Sequence, residues 1–447
     1  MGVRKLAGQT LIYGFGTIAG RALNLALTFV YIAYFDPAEF GLFSYFYALV
    51  SYPLIVLTLG METAFFRFAG LPGADPERAY SNSFWSVAYL TLAVASLAWV
   101  FDAELAAAVG YPDRVLLLRY LIGITVFDVL AAVPLARLRY RERPLRFALI
   151  NLSNVGFMLV LNLVFVVVLR QGIESIFLAN LIASGLRLAV ALVGGLPEHN
   201  RWHWPTVRPM LAFGGLVMVA GFAGQLNEML DKNLVVVLWP EGKAFRGAPT
   251  SGEALNGIYN ASYKFGMIIA LATQAYRYAA EPFFFRRTGS GHDPVLLAKT
   301  FHYFALACLG TTLLVGAFCT EIAGFTGFGL LRQPLLRAAY QPGLAIVPIV
   351  LFANTFLGLY ISASIWFKLR GQVGWGLGFT LVGTAITLAI NYLGIPRYGY
   401  YAAAWAHLAC YGIMFWLCYG VGQDPMPVPD RMGRLLLSGG GVALVVV

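Results

Sequence analysis

Residues 9–35 read QTLIYGFGTIAGRALNLALTFVYIAYF, with one charged side chain in the whole run. A helix rises 1.5 Å per residue and a bilayer core asks for about 20 apolar residues, so this run is long enough to span. Its one charge, Arg21, lies 16 residues after Lys5 and 15 before Asp36. That places it about 22–24 Å along the axis from either flank, too far for its side chain to reach the interface. A lipid-facing arginine at that depth costs at least about 2.5 kcal/mol. Facing a water-filled cavity, or pairing with a carboxylate on another helix, removes the cost. Asn24, one turn on, is the only strongly polar neighbour.

The rest of the chain has the same character. Its 447 residues are 59% hydrophobic and 12% charged, with a mean hydropathy of +0.72. A soluble domain carries about twice that charged fraction. Spanning helices are expected at roughly 9–35, 40–62, 82–101, 115–136, 146–169, 173–195, 208–237, 254–279, 298–318, 341–366, 373–394 and 399–421. These runs are too long and uninterrupted for the alternating strands of a β-barrel, so the fold class is all-α, a polytopic membrane protein. Arg4 and Lys5 precede a run too long for a signal sequence, and the first segment is expected to stay as a helix.

The net charge of +10 is distributed as a membrane topology requires. Counted over alternate loops, 18 Lys and Arg fall on the side of the N-terminus and 8 on the other. Basic loops stay in the cytoplasm, so the N-terminus is expected inside, and no nucleic-acid partner is implied. The cluster RLRYRERPLR at 137–146 is the strongest contribution and reads as a topology anchor against anionic headgroups. Cys308, Cys319, Cys410 and Cys418 show no CxxC spacing and read as packing residues. No Walker A loop, HExxH or GxSxG motif occurs, so neither an enzyme nor a metal site is expected.

A weak repeat divides the chain. Arg170-x-Gly172 followed by Ala179-Asn180-Leu181 matches Arg397-x-Gly399 followed by Ala406-His407-Leu408, 227 residues on. Six helices per repeat give two copies of the same orientation, a transporter architecture with the substrate site between the lobes. The expected division is a lobe at 1–200, a lobe at 201–425, and the start of a thirteenth helix at 426–447. RLLLSGGGVALVVV (434–447) is shorter than a span, so the natural chain is expected to continue.

Besides Arg21, four cations fall inside spans: Arg187, Lys232, Lys264 and Arg277. In GQLNEMLDKN (224–233), Glu228, Asp231 and Lys232 share one helical face, and Glu228 is spaced to pair with Lys232. Arg277 and Glu281 have the same spacing. Glu62 lies five residues before Arg67 at the inner boundary, and Asp128 lies upstream of Pro134. Cations outnumber acids, which suits an anionic ligand whose oxygens supply the missing charge. The candidate ligand-holding residues are Arg21, Asn24, Lys232, Lys264 and Arg277. Glu62, Asp128, Glu228, Asp231 and Glu281 are the candidates for pairing or for H⁺ or Na⁺ coupling.

KLAGQTLIYGFGTIAGRALNLALTFVYIAYFDPAEFGLFS (5–44) strongly resembles the opening of polysaccharide-biosynthesis (Wzx-type) oligosaccharide flippases. LGMETAFFRFAG (59–70), IYNASYKFGMIIALATQAYRYAAEPFFF (258–285) and NYLGIPRYGYYAAAWAHL (391–408) are similar in order and spacing. These flippases belong to the MOP exporter superfamily, with the lipid II flippase MurJ and the MATE drug exporters. The resemblance implies twelve to fourteen helices in two lobes around a central cavity. It implies a substrate too: a polyprenyl-pyrophosphate-linked oligosaccharide, moved from the inner to the outer leaflet of the bacterial cytoplasmic membrane by alternating access. The lipid bilayer and a polysaccharide polymerase machinery would be its partners. In the lipid II branch first-helix arginines hold the pyrophosphate, and Arg21 occupies a comparable place. Three alternatives stay open: a lipid II flippase proper, a MATE-like cation or drug antiporter, and a polymerase or ligase of the same pathway. The last needs a sizeable outer loop, and the longest candidate, 319–340, is short and apolar.

Overall fold

The computed structural model describes residues 3–197, 202–246, 248–286, 294–326, 333–370, 372, 374–423 and 439–443. The first six of its helices are α1 (Val3–Tyr34), α2 (Pro37–Thr58), α3 (Met61–Ala69), α4 (Pro76–Val100), α5 (Asp102–Ala108) and α6 (Val115–Tyr140). Then come α7 (Pro144–Asn162), α8 (Glu174–Leu192), α9 (Trp204–Leu238), α10 (Gly252–Arg286) and α11 (Pro294–Ala317). The series ends with α12 (Cys319–Gly324), α13 (Val347–Ala363), α14 (Ile365–Leu369), α15 (Gly374–Tyr398) and α16 (Tyr400–Gln423). Two residue pairs, β1 (Ala244–Phe245) and β2 (Ala248–Pro249), form a small antiparallel ladder in the α9–α10 connection.

Apart from the one at 40–62, the expected spans lie on one of these helices or on a helix with its short continuation, such as the π-turn Leu163–Val168 that extends α7. Ten helices among the described residues are long and apolar enough to cross a membrane. This is an all-α, multi-pass membrane protein. Of the expected thirteenth helix only residues 439–443 are described, and they are helical.

The expected span at 40–62 is not continuous. α2 stops at Thr58 and α3 starts at Met61, with Leu59 and Gly60 both left-handed at φ 52° and 62°. Gly60 is required there twice over. Its φ suits glycine, and a Cβ would stand 2.3 Å from the carbonyl oxygen of Gly214 on α9.

Packing divides the chain into two compact units, residues 1–24 with 49–225, and residues 25–48 with 226–447. In the first, α6 lies against α4 and α8, and α7 against α8. Met61, Phe65, Tyr80, Val129, Val133 and Met210 form its main core. α4 starts on the Asp75 carboxylate, which accepts the N–H groups of Glu77 and Arg78, with Pro76 at the first helical position. The Gly60–Gly214 approach explains why the first half of α9 packs here.

In the second unit α16 lies against α13 and α15, and α10 against α13. The first half of α2 joins it through a glycine crossing. A Cβ on Gly41 would stand 1.7 Å from the Glu253 oxygen of α10, and one on Gly257 1.9 Å from the Pro37 oxygen. Asn256 Nδ2 donates to the Gly41 carbonyl across the same contact at 2.9 Å. Only glycines allow backbones this close.

Candidate functional site

In the first unit, α1 packs on α7 through Gly20, whose Cβ position is 3.6 Å from Val155. The next residue is turned by 100° on a helix, so Arg21 points away from that contact. It is exposed, and among the described residues it has neither a hydrogen bond nor an ion pair. Asn24, three residues on and close to the same face, is exposed as well.

Several other charges of this unit are matched. Asp128 on α6 takes Arg187 Nη1 from α8 at 3.3 Å, so the two intramembrane residues pair with each other. Glu62 pairs with Arg139 at 2.5 Å, while Arg67 lies over the Phe213 ring at 4.3 Å. The basic cluster at 137–146, expected as a headgroup anchor, also works inside the protein. Buried Arg137 and exposed Arg141 both hold Glu77 of α4, and Arg146 donates to the Val193 carbonyl. Tyr80, under the Arg137 guanidinium at 4.3 Å, donates to the Gly195 carbonyl. These contacts pin α3, α4, α6 and the end of α8 together.

The second unit is different. Asp231 and Lys232 on α9 are buried, and Glu228 one turn earlier is exposed. The expected Glu228–Lys232 ion pair is absent among the described residues. Lys232 Nζ instead donates to the Glu228 backbone carbonyl at 2.6 Å and lies 5.1 Å from the Tyr263 ring. A lysine reaching back one turn satisfies its ammonium on the backbone and leaves the glutamate side chain outward. Lys264, half-buried on α10, has Lys232 and Glu228 as its charged neighbours. Arg277 is about 20 Å further along the same helix, with buried Gln274 a turn before it. The side chain of Glu281 lies outside the described residues.

Asp231 meets a residue that the sequence reading quoted only as part of the repeat. His407 on α16 is 1% exposed, and its Nδ1 stands 3.4 Å from Asp231 Oδ2 and 3.3 Å from the Tyr259 hydroxyl. The Tyr263 and Tyr411 rings flank the imidazole at 5.4 and 5.3 Å. The signal that would have found it is the repeat itself: His407 stands where Asn180 stands in α8, and both are buried polar residues on apolar helices. The second unit also holds an apolar cavity of about 490 Å³, lined by Phe301, Pro348, Phe352, Trp405 and Phe415 among others.

A family model described as "Polysaccharide biosynthesis protein" matches residues 34–269. No curated protein sequence matches the chain. Among solved structures, the chain is similar to an inward-facing multidrug resistance MATE family transporter of the MOP superfamily. The TM-score is 0.68 at 13% identity, over 96% of each chain. The outward-facing conformation of such a transporter matches at a TM-score of 0.60 and 13% identity, again over 96% of each. A mutant of the Vibrio cholerae MATE transporter VcmN matches at 0.60 and 14%, over 96% of this chain and 97% of that one. At such identities the likeness establishes the fold.

Proposed function

Since the chain belongs to the polysaccharide biosynthesis protein family and has the fold of MOP-superfamily transporters, we propose that it is a flippase for polyprenyl-pyrophosphate-linked oligosaccharides. It carries them by alternating access from the inner to the outer leaflet of a bacterial cytoplasmic membrane, its N-terminus inside, for a surface-polysaccharide polymerase to extend. The Lys and Arg asymmetry of the loops supports that orientation.

The observation that carries the substrate class is Arg21. A cation that is exposed at mid-helix, with no partner among the described residues, serves an anion that comes and goes. Its planar guanidinium suits bidentate contacts to pyrophosphate oxygens. Asn24 adds a neutral donor on the same face, and in the second unit half-buried Lys264 and Arg277, with buried Lys232, are the candidate cations for the same kind of ligand. The apolar cavity there suits part of a polyprenyl tail.

The test is a leaflet assay in proteoliposomes. A short polyprenyl-pyrophosphate oligosaccharide is loaded, and its appearance outside is followed with a sugar-cleaving enzyme. Hydrogen bonds to charged groups contribute about 1.5–3 kcal/mol, so Arg21→Gln should slow exposure roughly ten- to a hundredfold. Equal fast rates in both proteins would remove Arg21 from the site. Exposure no faster than in empty liposomes, together with efflux of cationic drugs, would reassign the chain to the drug antiporters that share its fold.

A further inference from the structure

We propose that Glu228 and Lys264 form a saccharide subsite in the second unit, one that takes the hydroxyl and amide groups of a sugar and turns away sugars that carry a carboxylate. The proposal rests on the oligosaccharide reading of the chain and deepens it at Lys264.

Helix geometry gives the subsite its place. Along 226–238 of α9, Leu226, Leu230, Leu234 and Val237 are half-buried or exposed, at spacings of four, four and three residues. That is one helical face, wholly apolar, and it suits lipid. Glu228 precedes Val237 by nine residues, about two and a half turns, so its exposed carboxylate lies on the opposite face. A charge inside a membrane faces water or protein rather than lipid, so this second exposed face borders a water-filled space. On α10, every residue of Leu255–Ser262 is buried. The accessible stripe of that helix starts at Lys264 and runs on through Ile268, Leu271 and Ala275. Space for a ligand against α10 therefore ends at Lys264.

The two side chains stand level. α9 and α10 are joined through the short β-ladder and meet closely beside it, where a Cβ on Gly252 would be 2.6 Å from the Val236 carbonyl oxygen. Glu228 comes ten residues before the end of α9 and Lys264 twelve after the start of α10, about 15 and 18 Å from that junction. Glu228 and Lys232 are the charged neighbours of Lys264. Lys232 is already committed: it is buried, and its Nζ donates to the Glu228 backbone carbonyl. The Glu228 carboxylate and the Lys264 ammonium have neither a hydrogen bond nor an ion pair among the described residues.

The chemistry of this pair selects its ligand. A carboxylate only accepts hydrogen bonds, so a donor has to meet it, and sugar hydroxyls and acetamido N–H groups are donors. The ammonium only donates, and it suits the hydroxyl and ring oxygens of the same sugar. Pyrophosphate is repelled by Glu228 and belongs elsewhere. A uronic acid set against Glu228 brings a second acceptor of the same charge, and discrimination by such a clash is as effective as an added attraction. A metal ion does not fit, since one carboxylate beside two ammonium groups offers neither the ligand count nor the sign.

The experiment uses the purified full chain in nanodiscs and three short-chain probes: polyprenyl-pyrophosphoryl glucose, its glucuronic acid counterpart, and polyprenyl pyrophosphate without a sugar. Wild type should bind the glucose probe roughly tenfold more tightly than the glucuronate probe. Glu228 is exposed, so Glu228→Gln leaves the packing as it is; it should equalise the two affinities, chiefly by gaining on the glucuronate. Lys264→Gln should widen the gap beyond wild type. Opposite shifts in the two variants are something that damage to the fold does not produce. Accessibility gives a separate readout. Glu228→Cys should react with a water-soluble maleimide above the wild-type background, the glucose probe should slow that reaction, and Leu230→Cys on the apolar face should stay unreactive. Equal wild-type affinities, a preference that survives in Glu228→Gln, or an unreactive Glu228→Cys overturns the subsite, and binding of the bare pyrophosphate probe then leaves the flippase reading standing. If no probe binds, the bare one included, the flippase reading falls and the subsite falls with it.

Discussion

The two units treat buried charge in opposite ways. In the first, each buried or half-buried acid on the packed helices has a cation against it: Asp128 has Arg187, Glu62 has Arg139, Asp102 has Arg119, Glu174 has Arg114, and Glu77 has both Arg137 and Arg141. In the second, buried Asp231 has an imidazole rather than a Lys or Arg side chain against it, His407 Nδ1 standing 3.4 Å from its Oδ2. Lys232, next to it, is satisfied by its own backbone. Removing charges from water costs several kcal/mol per ion, and only excellent pairing repays it. The first unit meets that condition and gains a clamp. The second does not, and Asp231 is left with an imidazole as its ion-pair partner.

The sharpest way to break the comparison is at Glu77. It holds two guanidinium groups, one of them 6% exposed. Glu77→Gln leaves Arg137 buried without an opposing charge, and breaking a buried pair from one side costs about 3–5 kcal/mol. The variant should be recovered folded in much lower yield and unfold at clearly lower temperature in detergent, followed by size-exclusion after graded heating. A melting point equal to wild type would mean that the first unit is not held by its ion pairs, and the contrast would dissolve.

The helices of both units were legible in the sequence because apolar runs of span length carry their own signature, independent of partners. The break at Leu59–Gly60 was not, since its cause is Gly214, more than 150 residues away. The candidate charges were legible as residue types but not as pairs. Glu62 was weighed against Arg67, five residues off, and it was Arg139 of another helix that came to it. Glu228 and Lys232 had the spacing of a pair, and the ammonium took the nearer backbone oxygen. His407 was missed because a lone histidine in an Ala-rich helix looks like packing, and only the arrival of Asp231 from α9 gives it a chemistry.

A smaller test asks whether the exposed cations of the first unit add to the clamp. Arg67 has no carboxylate among the described residues and rests on the Phe213 face at 4.3 Å. Cation–π contacts at exposed sites are worth about 0.5–1 kcal/mol. Arg67→Leu should therefore lower stability only slightly in the same heating series, well short of Glu77→Gln. A loss as large as that of Glu77→Gln would place Arg67 inside the clamp and enlarge it.

The smallest expected effect is the most telling. In a unit held together by its ionic contacts, Asp231→Asn would be as damaging as Glu77→Gln, since both acids are fixed on packed helices. In the second unit the acid faces an imidazole and no Lys or Arg ion pair among the described residues, and an isosteric amide removes the charge while keeping the volume. Replacing poorly matched buried charge is often neutral or stabilising. Asp231→Asn should thus melt at or above the wild-type temperature in the same heating series. Should the variant fall apart instead, Asp231 would be a structural partner of His407 after all, and the two units would be governed by the same rule.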